Sequence, residues 1–352
     1  MRATKRGLPP WLDRYLILLA ALILYLVLRS LYAAGLVSAY WQRVLDQGLI
    51  MALGSLGLSL IYGFTGQFSI GHAGFYAIGA YTAGYLGRTY GHGNPGWFVV
   101  SLLAGVLMTA VVALLIGLPI LRLRSDYLGI ATMGFGIIVK VLLDNADRVI
   151  PALGGARGML GAPQIANLTW IFWALILVLF LFRNLVCSSF GRACLAIRED
   201  EIAADAMGVN TTLYKTLAFV MGCAAVGLAG GLYAHRYPLL HPTSFDFLKS
   251  FDFLLIVVVG GLGSLSGTLA AAVGWVFLLE GLRSVLGQQF LDFRGVVYAL
   301  LLIAVIILRP QGLFSGRELG VLVPRSLQSG WLRAGVRQVS AGGERAGGTA
   351  GD

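Results

Sequence analysis

Thr65, Gln67, Ser69 and His72 stand within YGFTGQFSIGHAGFYAIGAY, residues 62–81, among glycines that include Gly63, Gly66, Gly71 and Gly74. Hydroxyl, amide and imidazole groups at this spacing offer hydrogen-bonding chemistry. They lack the acidic partners that a proton relay needs, and His72 by itself reads as a satisfied interior histidine. At membrane depth every backbone N–H and C=O needs a partner, so glycine-broken helix is tolerated only where protein or a water-filled cavity surrounds it. The stretch is therefore expected to be a buried, non-ideal bend whose polar groups either satisfy freed backbone or face a pathway.

A second segment, VVVGGLGSLSGTLAAAVG, shares the spacing: Gly63-x-x-Gly66-x-x-Ser69 is echoed by Gly260-x-x-Gly263-x-x-Ser266. Paired glycine-interrupted segments in the two halves of a transporter point to its translocation path. On this reading Thr65, Gln67, Ser69, His72 and Ser266 approach the path, and Gly63, Gly66, Gly71, Gly260 and Gly263 are its hinges. The competing reading is close helix packing through small residues, and it is preferred for Gly129, Gly134 and Gly136 on an otherwise apolar span.

The elements that must position these groups are set by composition. Of 352 residues, 58% are hydrophobic and 12% charged, against roughly 25% charged in an ordinary soluble domain. The apolar runs are continuous rather than alternating, which gives helices and not barrel strands. The expected fold is an all-α polytopic membrane protein of about ten transmembrane helices, at residues 15–37, 44–64, 68–86, 97–121, 127–143, 168–182, 216–234, 251–262, 267–286 and 295–308. The eighth is short enough to be a half-helix, and the polar stretch partly interrupts the third. Residues 1–14 are expected to form a cytoplasmic N-terminus ahead of a retained first span, residues 15–308 the transmembrane domain, and residues 309–352 a flexible cytoplasmic tail too poor in apolar periodicity to build a core.

The net charge of +10 comes from loops and the tail, not from a folded basic face, so nucleic acid is not expected as a partner. Lys and Arg concentrate in the segments that lie inside if both termini are cytoplasmic. Lys140 and Arg29 sit where they can snorkel outward, and Glu280 with Arg283 reads as a local ion pair. Cys187, Cys194 and Cys223 have no CxxC or histidine-rich spacing, so neither disulfides nor a metal site are expected.

The longest inward insertion, residues 183–215, carries an acidic cluster. Asp200 can cap a short helix starting at Glu201, and Gly208 can end it with a left-handed cap. Its acids disfavour the anionic inner leaflet, which leaves docking to a cytoplasmic partner as the sharper reading.

Four stretches in order, GLSLIYGFTGQFSIGHAGFYAIGAYTAGYL, LRLRSDYLGIATMGFG, FGRACLAIREDEIAADAMGVNTTLYKTLAFV and GGLGSLSGTLAAAVG, resemble the signatures of permease subunits of branched-chain amino-acid ABC importers, most closely the LivM type. The resemblance covers residues 45–312. It implies a bacterial inner-membrane protein that pairs with a second permease of the LivH type, two cytoplasmic ATP-binding subunits and an extracytoplasmic substrate-binding protein. It further implies that Arg198, Glu201, Ala204, Met207 and Gly208 are the contacts through which the ATPase acts. Leucine, isoleucine and valine are the expected substrates, with urea and short amides as the alternative. The extended Arg/Gly-rich tail is a departure from the resemblance.

No G-x-x-x-x-G-K-[ST] loop occurs, so ATP hydrolysis falls to a separate subunit and no cofactor is expected. An ion-coupled secondary transporter or channel would need ionisable residues buried in the spans, and these are scarce. An embedded enzyme would need a metal motif or paired acid–base groups, and none is present in the sequence.

Overall fold

The structure, a computed structural model, describes residues 10–286 apart from 92, 122–124 and 161, together with positions 296, 300, 303, 307 and 312. Eleven helices occur among them: α1 (Pro10–Ala33), α2 (Ala39–Leu58), α3 (His72–Tyr90), α4 (Pro95–Ile120), α5 (Ser125–Asp144), α6 (Leu168–Cys187), α7 (Ser189–Glu199), α8 (Glu201–Ala206), α9 (Thr211–Ala234), α10 (Phe247–Gly260) and α11 (Leu265–Leu286). Two short strands, β1 (Met159–Leu160) and β2 (Leu239–Leu240), pair antiparallel, with Met159 opposite Leu240.

Six helical segments among the described residues are long and apolar enough to cross a membrane: Ala39–Phe64, Pro95–Ile120, Tyr127–Asp144, Leu168–Cys187, Thr211–Ala234 and Leu265–Ser284. The all-helical class holds, but the expected ten full spans do not emerge. The third expected span opens as non-helical backbone and becomes helix only at His72. The eighth is α10, whose 14 residues reach only about 21 Å against a hydrocarbon core of about 30 Å; polar Asp246, which caps it, fixes where it starts. Most of the tenth span and of the tail lie outside the described residues, as does most of the N-terminal segment.

Helices α2, α3, α9, α10 and α11 form the buried centre, and α4, α5 and α6 flank it. Small residues set the spacing. Gly79 of α3 faces the backbone of Gly227 on α9 so closely that a methyl on Gly79 would overlap the Gly227 carbonyl, which is the close approach that small-residue interfaces permit. By contrast Leu103, Leu107 and Leu115 of α4 are exposed and face away from the core.

One end of the bundle carries α7 and α8. At the opposite, distal end, β1 and β2 tie the 145–166 loop to the segment after α9. His235, fully buried there, places Nδ1 3.0 Å from the Pro163 carbonyl and Nε2 3.0 Å from Ser101 Oγ, with its ring edge-on to Phe98.

Candidate functional site

The site is built from two breaks that meet. Helix α2 ends in a single wide turn, Ser59–Phe64, that leaves the α-helical ladder; such turns occur often at functional positions. Thr65 caps it by donating its hydroxyl to the Ile61 carbonyl, and Gly66, at φ +72°, then turns the chain into the non-helical stretch that ends at His72. The second break lies between α10 and α11, where Gly263 has φ +81°. A Cβ on Gly63 would stand 2.8 Å from the Gly263 nitrogen, so the first glycines of one motif rest directly on the second motif. Ser59 and Thr268 add a hydroxyl contact of 3.3 Å across the same seam, and Ser264 Oγ accepts from the Gly267 N–H at the start of α11.

Arg198, in the last turn of α7, closes over both breaks. Its Nη1 donates to the Gly63 carbonyl at 2.6 Å, a charge-assisted bond to a carbonyl at the bend. Its aliphatic stem covers Gly66, where an added Cβ would meet Arg198 Cγ at 3.0 Å, and its guanidinium lies beside Gly263, 3.2 Å from where a Cβ would sit. Gly66 and Gly263 have room for the arginine because they lack side chains. A second tie runs parallel: Glu201 of α8 pairs with Lys215 of α9, and Gln67 Nε2 donates to the Lys215 carbonyl at 3.2 Å.

The other sequence-derived positions fall into two groups. Thr65, Gln67, Ser69, His72 and Ser266 are all buried, and all lie on or beside the two breaks. Ser69 Oγ approaches His72 Nδ1 at 3.4 Å, while Gln67 Oε1 and His72 Nε2 find no hydrogen-bond partner among the described residues. Native proteins rarely leave such atoms orphaned, because each costs about 1–3 kcal/mol. Gly71 packs on the Thr132 backbone of α5, and Gly260 on Gly267. Gly129 faces the Phe68 ring and Gly136 the backbone of Gly71, in line with close packing, whereas Gly134 faces open space.

Helix α8 forms as its caps dictate. Asp200 Oδ1 accepts from the Ile202 and Ala203 N–H groups at 2.9 and 3.0 Å, and Gly208 takes φ +86° after its last turn. Ile202 and Met207 are each 84% exposed, while Ala204 is buried against the chain itself. The exposed apolar pair stands on the outer face, and Ile202, which the motif comparison passed over, joins Met207 there. Cys194 on the inner side of α7 is buried, which pushes its thiol up to about 12.

A cleft of about 300 Å³ opens at the distal end between α2, α9, α10 and α11. Its lining includes Met51, Trp275, Val276 and Leu279, together with Lys249 and Asp252. None of the residues singled out at the breaks lines it. Sequence reading missed Asp252 because a lone acid followed by apolar residues carries no motif; its relation to Lys249 at i+3 was the available signal.

Residues 40–306 match the family described as the permease component of the branched-chain amino acid transport system. The chain belongs to this family. It is similar to the high-affinity branched-chain amino acid transport system permease protein LivM of Salmonella typhimurium, 34% identical over 325 aligned residues that cover 80% of this chain and 74% of the relative. With LivM of Escherichia coli it shares 35% identity, covering 75% and 68%. LivH of Escherichia coli, a second permease protein of that kind, is 26% identical over 77% of this chain and 93% of its own length. No solved structure matches. These relatives are transport permeases, not enzymes, which agrees with the absence of catalytic motifs in the sequence.

Backbone that has left the helical ladder can change its dihedrals without breaking a full row of hydrogen bonds, and here Arg198 bonds to one such place and lies against the other.

Proposed function

We propose that this chain is the LivM-type membrane subunit of an ATP-driven importer of leucine, isoleucine and valine. Its named relatives at 34–35% identity support the substrate class, and this favours branched-chain amino acids over urea or short amides. Likeness to both LivM and LivH supports a pair of related permeases in one assembly. The remaining partners are two cytoplasmic ATP-binding subunits and an extracytoplasmic substrate-binding protein. The bundle sits in the bacterial inner membrane with both termini cytoplasmic, and the α7–α8 end is the cytoplasmic one.

The observation that carries the mechanism is the Arg198 bond to the Gly63 carbonyl. In this reading Ile202 and Met207 enter a groove on the ATP-binding subunit, and Glu201 and Gly208 hold the helix that presents them. Closure of the ATP-binding subunits displaces α7 and α8, Arg198 carries that displacement to both breaks, and the bends around Gly63, Gly66, Gly71, Gly260 and Gly263 change together. Thr65, Gln67, Ser69, His72 and Ser266 then face the path, where the orphaned atoms of Gln67 and His72 gain partners. This is alternating access driven by a partner's chemistry.

The test is ATP hydrolysis by the reconstituted assembly, measured with and without loaded binding protein. Arg198→Ala should leave basal hydrolysis and assembly intact while removing most of the stimulation. Stimulation equal to that of the unaltered protein would contradict the linkage.

A further inference from the structure

The distal cleft contains an ion pair placed for exchange. Lys249 Nζ stands 3.1 Å from Asp252 Oδ2, the Asp252 side chain is 1% exposed, and that of Lys249 is 18% exposed. Trp275 Nε1 donates to the other oxygen, Asp252 Oδ1, at 3.1 Å. The indole thus holds the carboxylate in place while the lysine stem remains the more accessible partner. Beside this pair lie the apolar surfaces of Met51, Val276 and Leu279. The volume, about 300 Å³, is at the small end of the range of roughly 300–1,000 Å³ found for small-molecule sites. Gln47 and Met51 lie eight and twelve residues into α2, about 12–18 Å below its distal end at 1.5 Å per residue, so the cleft descends toward the start of the short helix α10.

We infer that this cleft is a transient binding site for a zwitterionic α-amino acid with an apolar side chain: Asp252 takes the ammonium group, Lys249 takes the carboxylate, and the side chain lies against Trp275, Met51 and Leu279. The inference rests on the importer reading and adds a site to it. A zwitterion can open the Lys249–Asp252 pair without leaving either charge uncompensated, since each exchanges one opposite charge for another. A molecule with only one charge replaces one side of the pair and leaves the opposite charge without its Lys249–Asp252 counterpart. A neutral molecule such as urea offers neither charge. The same exchange keeps binding weak, because the protein's own pair re-forms when the amino acid leaves, and a transporter must release what it binds.

The test uses the full assembly in proteoliposomes, with Leu279→Cys as a reporter in a Cys187→Ser background and Thr243→Cys as a second reporter. Labelling by a small water-soluble thiol reagent is followed with leucine, leucinol, 4-methylpentanoate or urea present. Leucine at ten times its half-saturating concentration should slow labelling about tenfold, and the other three should leave it unchanged. Adding Asp252→Asn, or separately Lys249→Met, should remove the protection, read within each variant as the ratio of labelling rates with and without leucine. An assembly that imports leucine yet shows no leucine protection at either reporter overturns the site and leaves the importer reading standing. Protection that persists in both charge variants, or equal protection by leucinol, overturns the charge exchange. Failure to import any branched-chain amino acid overturns the importer reading itself.

Discussion

His235 holds the distal loop to the bundle through two hydrogen bonds, and neither neighbour can be replaced by water in so buried a place. Substituting His235→Leu leaves the Pro163 carbonyl and the Ser101 hydroxyl short of a partner, so thermal unfolding should report a loss of about 1–3 kcal/mol. Burial also pushes the imidazole pKa below its ordinary 6.5. The native state therefore binds fewer protons than the unfolded one in mildly acidic solution, and stability present above the ordinary pKa is lost as pH falls below about 6.5. The unfolding midpoint should drop between about pH 7 and pH 5.5, and the drop should shrink in His235→Gln; an equal drop in that variant would assign it elsewhere. A raised pKa at Cys194 leads to a second residue-level expectation: maleimide at about pH 8 should modify it only after unfolding. The role of neither residue was legible in the sequence, since a histidine at a helix end and a cysteine between Ala193 and Leu195 carry no spacing signal.

The paired breaks test the account at the scale of elements. Gly63→Ala places a methyl 2.8 Å from the Gly263 nitrogen, and overpacking of this kind costs about 1–3 kcal/mol. A lower unfolding midpoint and reduced uptake are expected, whereas Gly274→Ala, whose methyl would meet nothing within 4 Å, should leave both nearly unchanged; equal effects would deny the breaks their special packing. The repeated Gly-x-x-Gly-x-x-Ser spacing made both breaks visible in the sequence. Their mutual contact was not visible, because it depends on α2 and α11 lying side by side with Ser59 against Thr268. The caps of α8 were equally legible from Asp200 and Gly208, but which face it shows was not. A six-residue helix has too few positions for periodicity to decide orientation, and the structure turns Ala204 inward while leaving Ile202 and Met207 out.

For the whole molecule, apolar composition pointed to the helical membrane class, while six helices long and apolar enough to cross a membrane occur among the described residues where ten were expected in the full chain. Hydropathy measures transfer from water and not length across a bilayer, so it counted the 14-residue α10 as equal to its longer neighbours. The non-helical stretch before His72 lies at one end of the bundle and the cleft at the other. Arg198 lies over the paired breaks at the α7–α8 end and a charged cleft opens at the opposite end, with no nucleotide-binding loop in the sequence. On the proposed reading, uphill movement of leucine depends on a separate hydrolysing subunit. Leucine accumulation in proteoliposomes with external binding protein measures this directly, comparing the complete assembly with one that contains the permease pair but no ATP-binding subunits. Accumulation above the external concentration is expected only in the complete assembly supplied with ATP; accumulation by the permease pair alone would contradict the account.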